Sequence, residues 1–411
     1  MISVVEARDR ILAHTSRLST ERVDLLGARG RVLAEDVVSS RQQPPWDNSA
    51  MDGYAVRAAD VAGASQATPS FLKLIEEIQA GAIPTETVGV GQASRIFTGA
   101  PVPPGADAVV RQEDTVTKPG QVGVCVSVPV GKDIRRAGED TQIGDHLISR
   151  GAVVRPAEIG LLAGTRRTRV KVYRRPRVAI LSNGNELCEP DEEGHAGQIV
   201  NTNAYALAAL VEEAGGEPTM LPIAPDTWEG LKEAFSEGLK ADAVISSGGV
   251  SVGDHDHVKG VLEELGVDMD FWKIRMTPGK PVAFGTFDGR PVFGLPGNPV
   301  STMVTFELFV RPALLKMSGR KDIFRGTRVG RLKYDIKKRG LPQFLRVTLE
   351  DNDAGLLIDT TGPQGSGILR SMSLAQALAF APGDERTVAA GTELVVMGLD
   401  ERLGTASTRP F

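Results

Sequence analysis

Cysteines are few in this sequence, and long apolar runs and a surplus of basic residues are missing from it. The two cysteines, Cys125 and Cys188, are too few for a disulfide framework, which favours a reducing compartment. No apolar stretch approaches the roughly 18 residues of a membrane span, and the N-terminus is charged where a secretory leader has an apolar core. The formal net charge of −5 argues against a nucleic-acid partner. We therefore expect a cytoplasmic protein that binds neither nucleic acid nor membrane.

Aromatic residues are also scarce, at 5 %, whereas the chain has 46 glycines and 25 prolines among its 411 residues. This composition favours many tight turns around a core of Val, Leu, Ile and Ala. The hydrophobic fraction of 41 % and the charged fraction of 24 % are those of an ordinary globular protein. The length predicts two to four domains.

The pattern of apolar residues changes along the chain and predicts four domains. A helix-like opening and a strand, turn and helix after residue 138 indicate a linking α+β domain made of two pieces, 1–44 and 138–172. Paired prolines and short alternating strands indicate an inserted β-rich domain over 45–137. From 173 to 320 strands alternate with helices, which predicts a central doubly wound α/β domain with a parallel sheet. Alternation returns over 325–411 and predicts a C-terminal β domain.

The first residues carry a signal for the start of a helix. Ser3 followed by Glu6 matches a capping box, in which each residue satisfies a free backbone N–H of the other. Apolar residues, among them Ile11 and Leu18, then recur on one helical face. We predict a helix from here to about Ser19.

Three polar, glycine-rich loops follow strands of the predicted parallel sheet. In such a sheet, ligands bind beyond the carboxyl ends of the strands. The loop "SNGNE" (182–186) follows the first strand, "SSGGVSVGDHDH" (246–257) follows the third, and "LPGNPVS" (295–301) follows the strand before the last helix. Gly248 and Gly249 let the backbone approach a ligand closely.

The third of these loops predicts a helix N-terminus that faces a ligand. Asn298 suits the N-cap and Pro299 the first helical turn, which leaves backbone N–H groups for an anion. Together the loops predict a site for a phosphate-bearing ligand. Its candidate binding residues are Ser247, Gly248, Gly249, Ser251, Pro296, Asn298 and Pro299.

The acids in these loops need a separate explanation, because bare carboxylates repel phosphate. Glu186 or Asp256 beside an anion implies a divalent cation, and Mg²⁺ is commonly held by one or two carboxylates plus substrate phosphates. Zinc is an alternative that His255 and His257 raise, but no further ligand stands at a recognisable spacing. For Asp254, capping of the following helix is enough. We predict a metal site at Glu186 and Asp256.

Polar turns elsewhere in the chain have plain structural explanations when taken alone. "DNSAMDGYA" (47–55) fits a well-capped turn. The two arginines and two acids of "RRAGED" (135–140) fit a surface ion-pair cluster. "TGPQGSG" (361–367) fits a nest of backbone N–H groups that binds an anion, and Arg346 is a candidate cation for the same anion.

These strings and their order resemble one known family. The sequence contains, in this order, "DNSAMDGYAVR", "TGAPVP", "GADAVV", "IRRAGED", "GQIVNTN", "SSGGVSVGDHD", "PGKP" and "LPGNPVS". They resemble the molybdopterin molybdenumtransferase family, whose animal member is the gephyrin E-domain. The resemblance spans almost the whole chain, with weaker matches in the C-terminal domain.

The resemblance implies an activity and an assembly. The activity is insertion of molybdate into adenylylated molybdopterin with release of AMP, which gives the molybdenum cofactor and requires Mg²⁺. The fold implied is a four-domain subunit with a molybdopterin-binding α/β domain and a C-terminal β-barrel-like domain. Two subunits form a homodimer in which the inserted domain of one faces the α/β and C-terminal domains of the other. Molybdopterin adenylyltransferase and molybdoenzyme-maturation proteins are the expected partners.

The functional residues of the family fall on matching positions of this sequence. The implied catalytic residues are Asp52, Asp140, Glu186, Asp256 and Lys280, of which Glu186 and Asp256 hold the metal. The implied substrate-binding residues outside the glycine loop are Thr98, Pro296, Pro299, Arg346 and Ser366.

Two positions depart from the family pattern. Asn185 stands in "GNEL" where the common form has aspartate, and Thr277 precedes "PGKP" where lysine is frequent. One carboxylate and one cation are lost, so the formal charge of the site is unchanged. The affinity of the site for anion or metal is the property that these changes put in question.

Three alternatives stay open from the sequence. The α/β domain also resembles molybdopterin adenylyltransferases, although those carry Gly-Gly-Thr-Gly where this chain has Gly-Gly-Val-Ser over 248–251 and lack the flanking domains. A scaffold that has kept the fold and binds partners is the second alternative, against which the intact set of acids favours catalysis. Tungstate in place of molybdate is the third, because no residue distinguishes ions so alike in size and charge.

Overall fold

The computed structural model describes residues 1–249, 257–353 and 355–399, and its strands group into several distinct sheets. It combines mixed α/β content with a closed β-barrel in the C-terminal region, which confirms the predicted fold class. The domain boundaries stay a prediction. Within the described residues, no helix is both long and apolar enough to cross a membrane.

Segments that precede the β-rich region in the sequence pair with segments that follow it. Helices lie at Val4–Ala13 and Pro156–Gly164. The antiparallel strand pairs are Thr20–Asp24 with Arg169–Tyr173 and Val37–Val38 with His146–Ile148. The helix Pro156–Gly164 and these strands bury a small apolar cluster that includes Leu162, Val172 and the neighbouring Leu33. Ala7 and Ile11 of the first helix belong to a different core.

The opening helix ends at Ala13, so the predicted extension to about Ser19 is wrong. The cap itself is present, because the Ser3 hydroxyl accepts the Glu6 N–H at 3.1 Å. Beyond the helix, the Leu18 N–H donates to the Met317 carbonyl at 2.8 Å. Long-range pairing therefore takes a backbone donor that a longer helix would have used internally.

A β-rich sheet occupies the region between residues 53 and 124. Its strands, in spatial order, are Ala108–Arg111, Gly53–Val56, Gln92–Ile96, Ser70–Ile78, Gln121–Val124 and Thr115–Lys118. Asn48–Ser49 pairs with Ile134–Arg135 beside it, and short 3₁₀ turns lie at Ala58–Val61 and Gln112–Asp114. Alternate residues such as Tyr54, Val56 and Val122 fill its core.

The α/β sheet has parallel and antiparallel parts. In spatial order its strands are Glu217–Met220, Arg177–Ser182, Ala243–Ser247, Arg290–Leu295, Ala283–Phe287 and Asp268–Phe271. The first part, up to Arg290–Leu295, is parallel as predicted, whereas the last two strands are antiparallel, which the alternation did not predict. Helical segments cover it at Thr202–Glu213, Trp228–Gly238, His257–Glu264, Pro299–Thr305, Phe306–Val310 (π-helical) and Arg311–Met317. A short parallel pair, Leu187–Cys188 with Ile199–Val200, lies beyond its first strand.

The C-terminal strands close into a barrel. Their order is Thr327–Leu332, Gly355–Thr360, Gln343–Asn352, Ala377–Ala381 and Glu393–Gly398. A helix at Leu369–Leu374 and a strand pair, Ile336–Lys337 with Thr387–Val388, complete the unit. Its interior holds Leu345, Val347 and Ile358.

A buried ion pair joins the barrel to the α/β sheet. Arg325, just before the barrel, donates to Glu307 in the π-helical turn at 2.8 and 2.9 Å, and to Glu213 at 2.7 Å. The side chains of Arg325 and Glu307 are only 10 % and 3 % exposed. Burial alone lowers the pKa of Arg325, but the hydrogen bonds and charges of both glutamates raise it above its ordinary value. The guanidinium therefore stays charged.

We predict that Glu307→Gln lowers the free energy of unfolding by about 3 kcal/mol, because it leaves Arg325 buried without its main counterion. Urea denaturation followed by tryptophan fluorescence measures the change. Asp351→Asn is the matched control, because it removes one carboxylate from an exposed ion pair with Arg328. It should cost much less than the Glu307 change, because solvent screens an exposed ion pair. Equal losses in the two variants would contradict the role assigned to burial.

Candidate functional site

The carboxyl ends of neighbouring parallel strands meet in register at one edge of the α/β sheet. Ser182 is paired with Ser247, and Ser247 with Leu295. Beyond these ends lies a cavity of about 320 Å³, which we call the strand-end cavity. It is lined by Ser182, Asn183, Glu186, Leu187, Ile199, Val200, Asn201, Thr202, Asn203, Ser247, Gly248, Gly297, Asn298 and Pro299.

Amide and hydroxyl groups link the loops around this cavity. The Asn203 side-chain amide donates to Ser247 Oγ and to the Gly297 carbonyl, both at 2.8 Å. The Ser182 hydroxyl donates to Asn201 Oδ1 at 3.1 Å. Asn201 also caps the helix Thr202–Glu213 by accepting the Ala204 N–H. The string "NTN" (201–203) therefore fixes the relative positions of the strand ends.

The two glycines after Ser247 have a backbone that other residues rarely adopt. The φ angles of Gly248 and Gly249 are 102° and 64°. A Cβ atom on Gly249 would lie 2.5 Å from Val258 Cγ2 and 2.8 Å from Asn183 Nδ2. Asn183 is buried against these glycines, and its Oδ1 has no hydrogen-bond partner among the described residues. A side chain at Gly249 would therefore displace Val258 and Asn183, which pack against the loop.

The helix that starts at Pro299 is capped differently from the prediction. Asn298 occupies the N-cap and Pro299 the first turn, as expected, but the Asn298 side chain makes no capping bond. The Val300 N–H donates to the Ser366 carbonyl at 3.0 Å. The expectation that the N–H groups here are free for an anion is therefore wrong at Val300. The same bond brings the predicted residue Ser366 to the start of this helix.

The acidic loop after the first strand contains a neighbour that sequence reasoning missed. Glu186 is exposed and lines the strand-end cavity. Asn185 Oδ1 accepts the backbone N–H of Asp226 at 3.3 Å, and Asp226 Oδ1 accepts from Asn183 Nδ2 at 2.8 Å. Asp226 follows the edge strand Glu217–Met220, so the same strand-end rule would have found it. It keeps a carboxylate beside Asn185, where the family pattern has one.

Lys280 is exposed on a turn that packs against the helix Pro299–Thr305. A Cβ atom on the preceding Gly279 would lie 2.4 Å from Thr305 Cγ2. Thr277 is held by the barrel, because its N–H donates to the Pro342 carbonyl and its own carbonyl accepts from Phe344. Pro296 accepts the Thr302 hydroxyl at 2.5 Å through its carbonyl. Lys280 and Pro296 are near this helix but are not among the lining residues of the cavity.

Arg346 is fully buried in the barrel and has no carboxylate within ion-pair distance among the described residues. Burial lowers its pKa to about 10. It donates to Ser371 Oγ at 3.0 Å and to the Gly365 carbonyl at 3.0 Å, while its Nη1 has no partner in the described part of the chain. Arg346 thus supports the 361–367 loop from beneath. Direct contact with a substrate stays a prediction.

The predicted residues of the β-rich region lie apart from the strand-end cavity. Asp52 Oδ1 accepts both the N–H and the hydroxyl of Thr98, each at 2.8 Å. These bonds lower the pKa of Asp52, the backbone bond most strongly. Asp140 is exposed, and its N–H donates to Gln43. The structure brings Asp52 and Thr98 together but does not place them or Asp140 among the residues that line the cavity.

Part of the predicted site lies outside the described residues, namely Ser251, Asp254, His255 and Asp256. Within the described ranges, no group of three or more His, Cys, Asp or Glu side chains could hold a metal ion. His257 packs its ring against the edge of Trp228 at 6.1 Å between centroids.

Comparison with known proteins identifies the family. Family models match along the chain: MoeA N-terminal region (domain I and II) over residues 2–165, a probable molybdopterin binding domain over 179–316, and MoeA C-terminal region (domain IV) over 329–399. A molybdopterin molybdenumtransferase from Nostoc sp. is 41 % identical over 397 residues, which are 93 % of this chain and 90 % of that protein. The chain belongs to the molybdopterin molybdenumtransferase family. It is therefore an enzyme, a transferase of molybdenum cofactor biosynthesis, and the resemblance seen in the sequence is confirmed.

Two further relatives of this molybdopterin molybdenumtransferase family member support the same family assignment. Molybdopterin molybdenumtransferase 2 of Mycobacterium tuberculosis is 39 % identical over 96 % of this chain and 99 % of that protein. The crystal structure of the molybdopterin biosynthesis moeA protein from Pyrococcus horikoshii has a TM-score of 0.82, with 34 % identity over 97 % of this chain and 99 % of that one.

Gly249→Ala should destabilise the glycine loop more than an open glycine of similar backbone would. Gly266, with φ of 82° and nothing within 4 Å of an added Cβ, is the matched control. We expect Gly266→Ala to cost about 1 kcal/mol through backbone strain alone. Gly249→Ala should cost roughly 2–3 kcal/mol because of its additional overlap with Val258 and Asn183. Thermal denaturation compares the two, and an equal loss would show that the close packing of Gly249 is unimportant.

The Thr98 hydroxyl should help to hold the pKa of Asp52 low. We expect Thr98→Ala to raise that pKa, yet to leave it below its ordinary value, because the backbone bond from residue 98 remains. Thr98→Ser keeps the hydroxyl and should leave the pKa in place. A pH titration of the Asp52 carboxyl carbon by NMR measures both variants. An unchanged pKa in Thr98→Ala would contradict the contribution of the hydroxyl.

Proposed function

We propose that this enzyme inserts molybdate into adenylylated molybdopterin, releasing AMP and giving the molybdenum cofactor. The observation that carries the proposal is the strand-end cavity. Strands aligned at Ser182, Ser247 and Leu295 surround it with small polar side chains and a glycine backbone. This is where an open parallel sheet binds a phosphate-bearing ligand.

The lining residues have different roles in binding the substrate. The Ser247 hydroxyl offers a neutral hydrogen bond to a phosphate oxygen without adding charge. The Asn203 amide, whose two N–H groups are already used, holds that hydroxyl and the Gly297 carbonyl in place. Gly248 and Gly249 lack side chains and let the phosphoanhydride lie close to the backbone. Asn298 brings a further amide at the start of the helix. The substrate is thereby oriented by groups that hydrogen bonds already hold in place.

The residues present fit a magnesium ion that shares its ligands with the substrate. The Glu186 carboxylate is exposed in the cavity and makes no ion pair or hydrogen bond with another described side chain. Mg²⁺ needs only one or two protein carboxylates when phosphates complete its shell. Glu186 would hold the ion, together with Asp256, which lies outside the described residues. When bound, Mg²⁺ supplies Lewis-acid polarisation of the phosphoanhydride.

Lys280 is our candidate for attracting the molybdate dianion. Its ammonium is exposed, forms no ion pair within the described residues, and stands next to the turn that packs on the helix Pro299–Thr305. Thr277 contributes no second cation, so the field on the dianion comes mainly from Lys280. Arg346 supports the loop that carries Ser366 to the helix start.

The residues of the β-rich region act, in this proposal, across a homodimer. Asp52 and Asp140 are exposed on the β-rich side of the chain and do not line its own cavity. In a homodimer they would face the cavity of the second subunit. The low pKa of Asp52 keeps it ionised at neutral pH, which suits it to order water by hydrogen bonding but makes it a weak base for proton relay. The enzyme would work in the cytoplasm, after a molybdopterin adenylyltransferase and before molybdoenzyme-maturation proteins.

The test is the release of AMP from adenylylated molybdopterin in the presence of Mg²⁺. We expect release to depend on molybdate, measured against tungstate and against no oxyanion in parallel. A rate independent of both oxyanions would contradict the proposed function. The tungstate sample shows which of the two oxyanions the enzyme uses, because no residue of the chain distinguishes molybdate from tungstate.

Glu186→Gln should reduce molybdate-dependent AMP release at least about tenfold, because it removes a charge that holds the metal. Glu192→Gln, in the turn that follows the strand Leu187–Cys188, is the matched control. Glu192 is exposed and does not line the cavity, so its variant should keep the wild-type rate. Asp256→Asn should behave like Glu186→Gln while the dimer stays folded. Wild-type rates in both acid variants would show that the metal assignment is wrong.

A further inference from the structure

A second cavity has a volume of about 260 Å³. It is formed where the turn after His146–Ile148 meets the segment that follows the last helix of the α/β sheet. Its lining residues are Ser149, Arg150, Gly151, Ala152, Val153, Arg320, Lys321 and Asp322. We call it the basic cavity. It shares no lining residue with the strand-end cavity.

The cations of the basic cavity have no counterion. Among the described residues, no carboxylate lies within 4.0 Å of the side-chain nitrogens of Arg150, Arg320 or Lys321. Neighbouring arginines are paired: Arg31 contacts Glu21, and Arg174 donates to Asp242 at 2.6 and 2.8 Å.

Arg320 makes the lack of a counterion costly. Its guanidinium is partly buried, and its one hydrogen bond among the described residues is to the Gly30 carbonyl at 3.3 Å. Burial lowers the pKa of Arg320, and no acid offsets this effect. A desolvated cation without a partner is stabilised when an anion binds beside it.

Tyr173 holds the cations in place before any ligand arrives. Arg150 donates to the Tyr173 hydroxyl through Nε at 3.1 Å and Nη2 at 2.9 Å. Gly319 lies so close to the Tyr173 ring that an added Cβ would be 2.4 Å from it, which directs the chain at Arg320. On the other side, Lys321 lies across Gly151, with Cε 2.9 Å from where a Cβ would be.

Two carboxylates are near this arrangement without neutralising it. Asp322 lines the cavity but forms no ion pair with a described residue. Asp36 accepts the backbone N–H of Arg150 at 2.7 Å and does not line the cavity. Three side-chain cations therefore face the space with one acid on its wall.

We propose that the basic cavity binds a tetrahedral oxyanion, such as phosphate, sulfate or molybdate, separately from the strand-end cavity. At about 260 Å³ the cavity has room for a small inorganic ion. Guanidinium and ammonium donors converge there, and both form charge-assisted hydrogen bonds with oxyanions. The proposal is independent of the reaction at the strand ends.

Isothermal titration of the full chain with sodium phosphate, sulfate or molybdate, at constant ionic strength set by chloride, tests it. We expect saturable binding of one phosphate or sulfate ion per chain in the basic cavity, with the two ions competing. Molybdate should bind there too, and any molybdate held near Lys280 would add to it without depending on Lys321. Lys321→Gln should weaken binding roughly tenfold, the loss of one charge-assisted hydrogen bond. Arg150→Gln gives a second variant that leaves the half-buried Arg320 intact. Lys337→Gln, at an exposed lysine outside the cavity, should bind like wild type.

Four results would overturn the proposal. The first is the absence of saturable binding with all three ions, and the second is wild-type affinity in Lys321→Gln. The third is binding of molybdate alone that Lys321→Gln leaves unchanged, since that would belong to the strand-end cavity. A change of oligomeric state in Lys321→Gln without any effect of oxyanions would also contradict it, because the cations would then serve a second copy of the chain.

Discussion

The side-chain amide of Asn203 is the contact on which the geometry of the site depends. With two N–H groups it holds the hydroxyl at the end of one strand and the carbonyl in the loop of the next, each at 2.8 Å. Parallel pairing brings Ser182, Ser247 and Leu295 level with one another, but the loops beyond them are not paired. The two bonds of Asn203 take the place of backbone pairing beyond the strand ends. They hold the loops around a polar cavity.

The barrel completes this site from the other side. Its loop meets the helix start through the bond from Val300 to Ser366, and Arg346 supports that loop from within the barrel. The buried pair of Arg325 and Glu307 fixes the barrel against the same helix further along. The position of Ser366 therefore depends on charges that are removed from water, which is why we assign Arg346 a positioning role.

Local sequence patterns predicted the strands and the edge at which they end, because alternation and glycine loops are short-range signals. The end of the first helix was missed because Leu18 bonds to Met317, and no local pattern carries that contact. The bond between Val300 and Ser366 was missed for the same reason. Asp226 was missed although the rule that found Glu186 applies to it, since its strand is short and lies at the sheet edge. The resemblance supplied the roles of Asp52 and Thr98, which their spacing alone could not.

A crystal structure of the enzyme with adenylylated molybdopterin would test the central claim most directly. We predict that the phosphates lie in the strand-end cavity, against Ser247, Gly248 and Asn298, with Glu186 at their edge. Phosphates bound elsewhere, for example in the apolar groove between Leu221 and Lys240, would contradict the account.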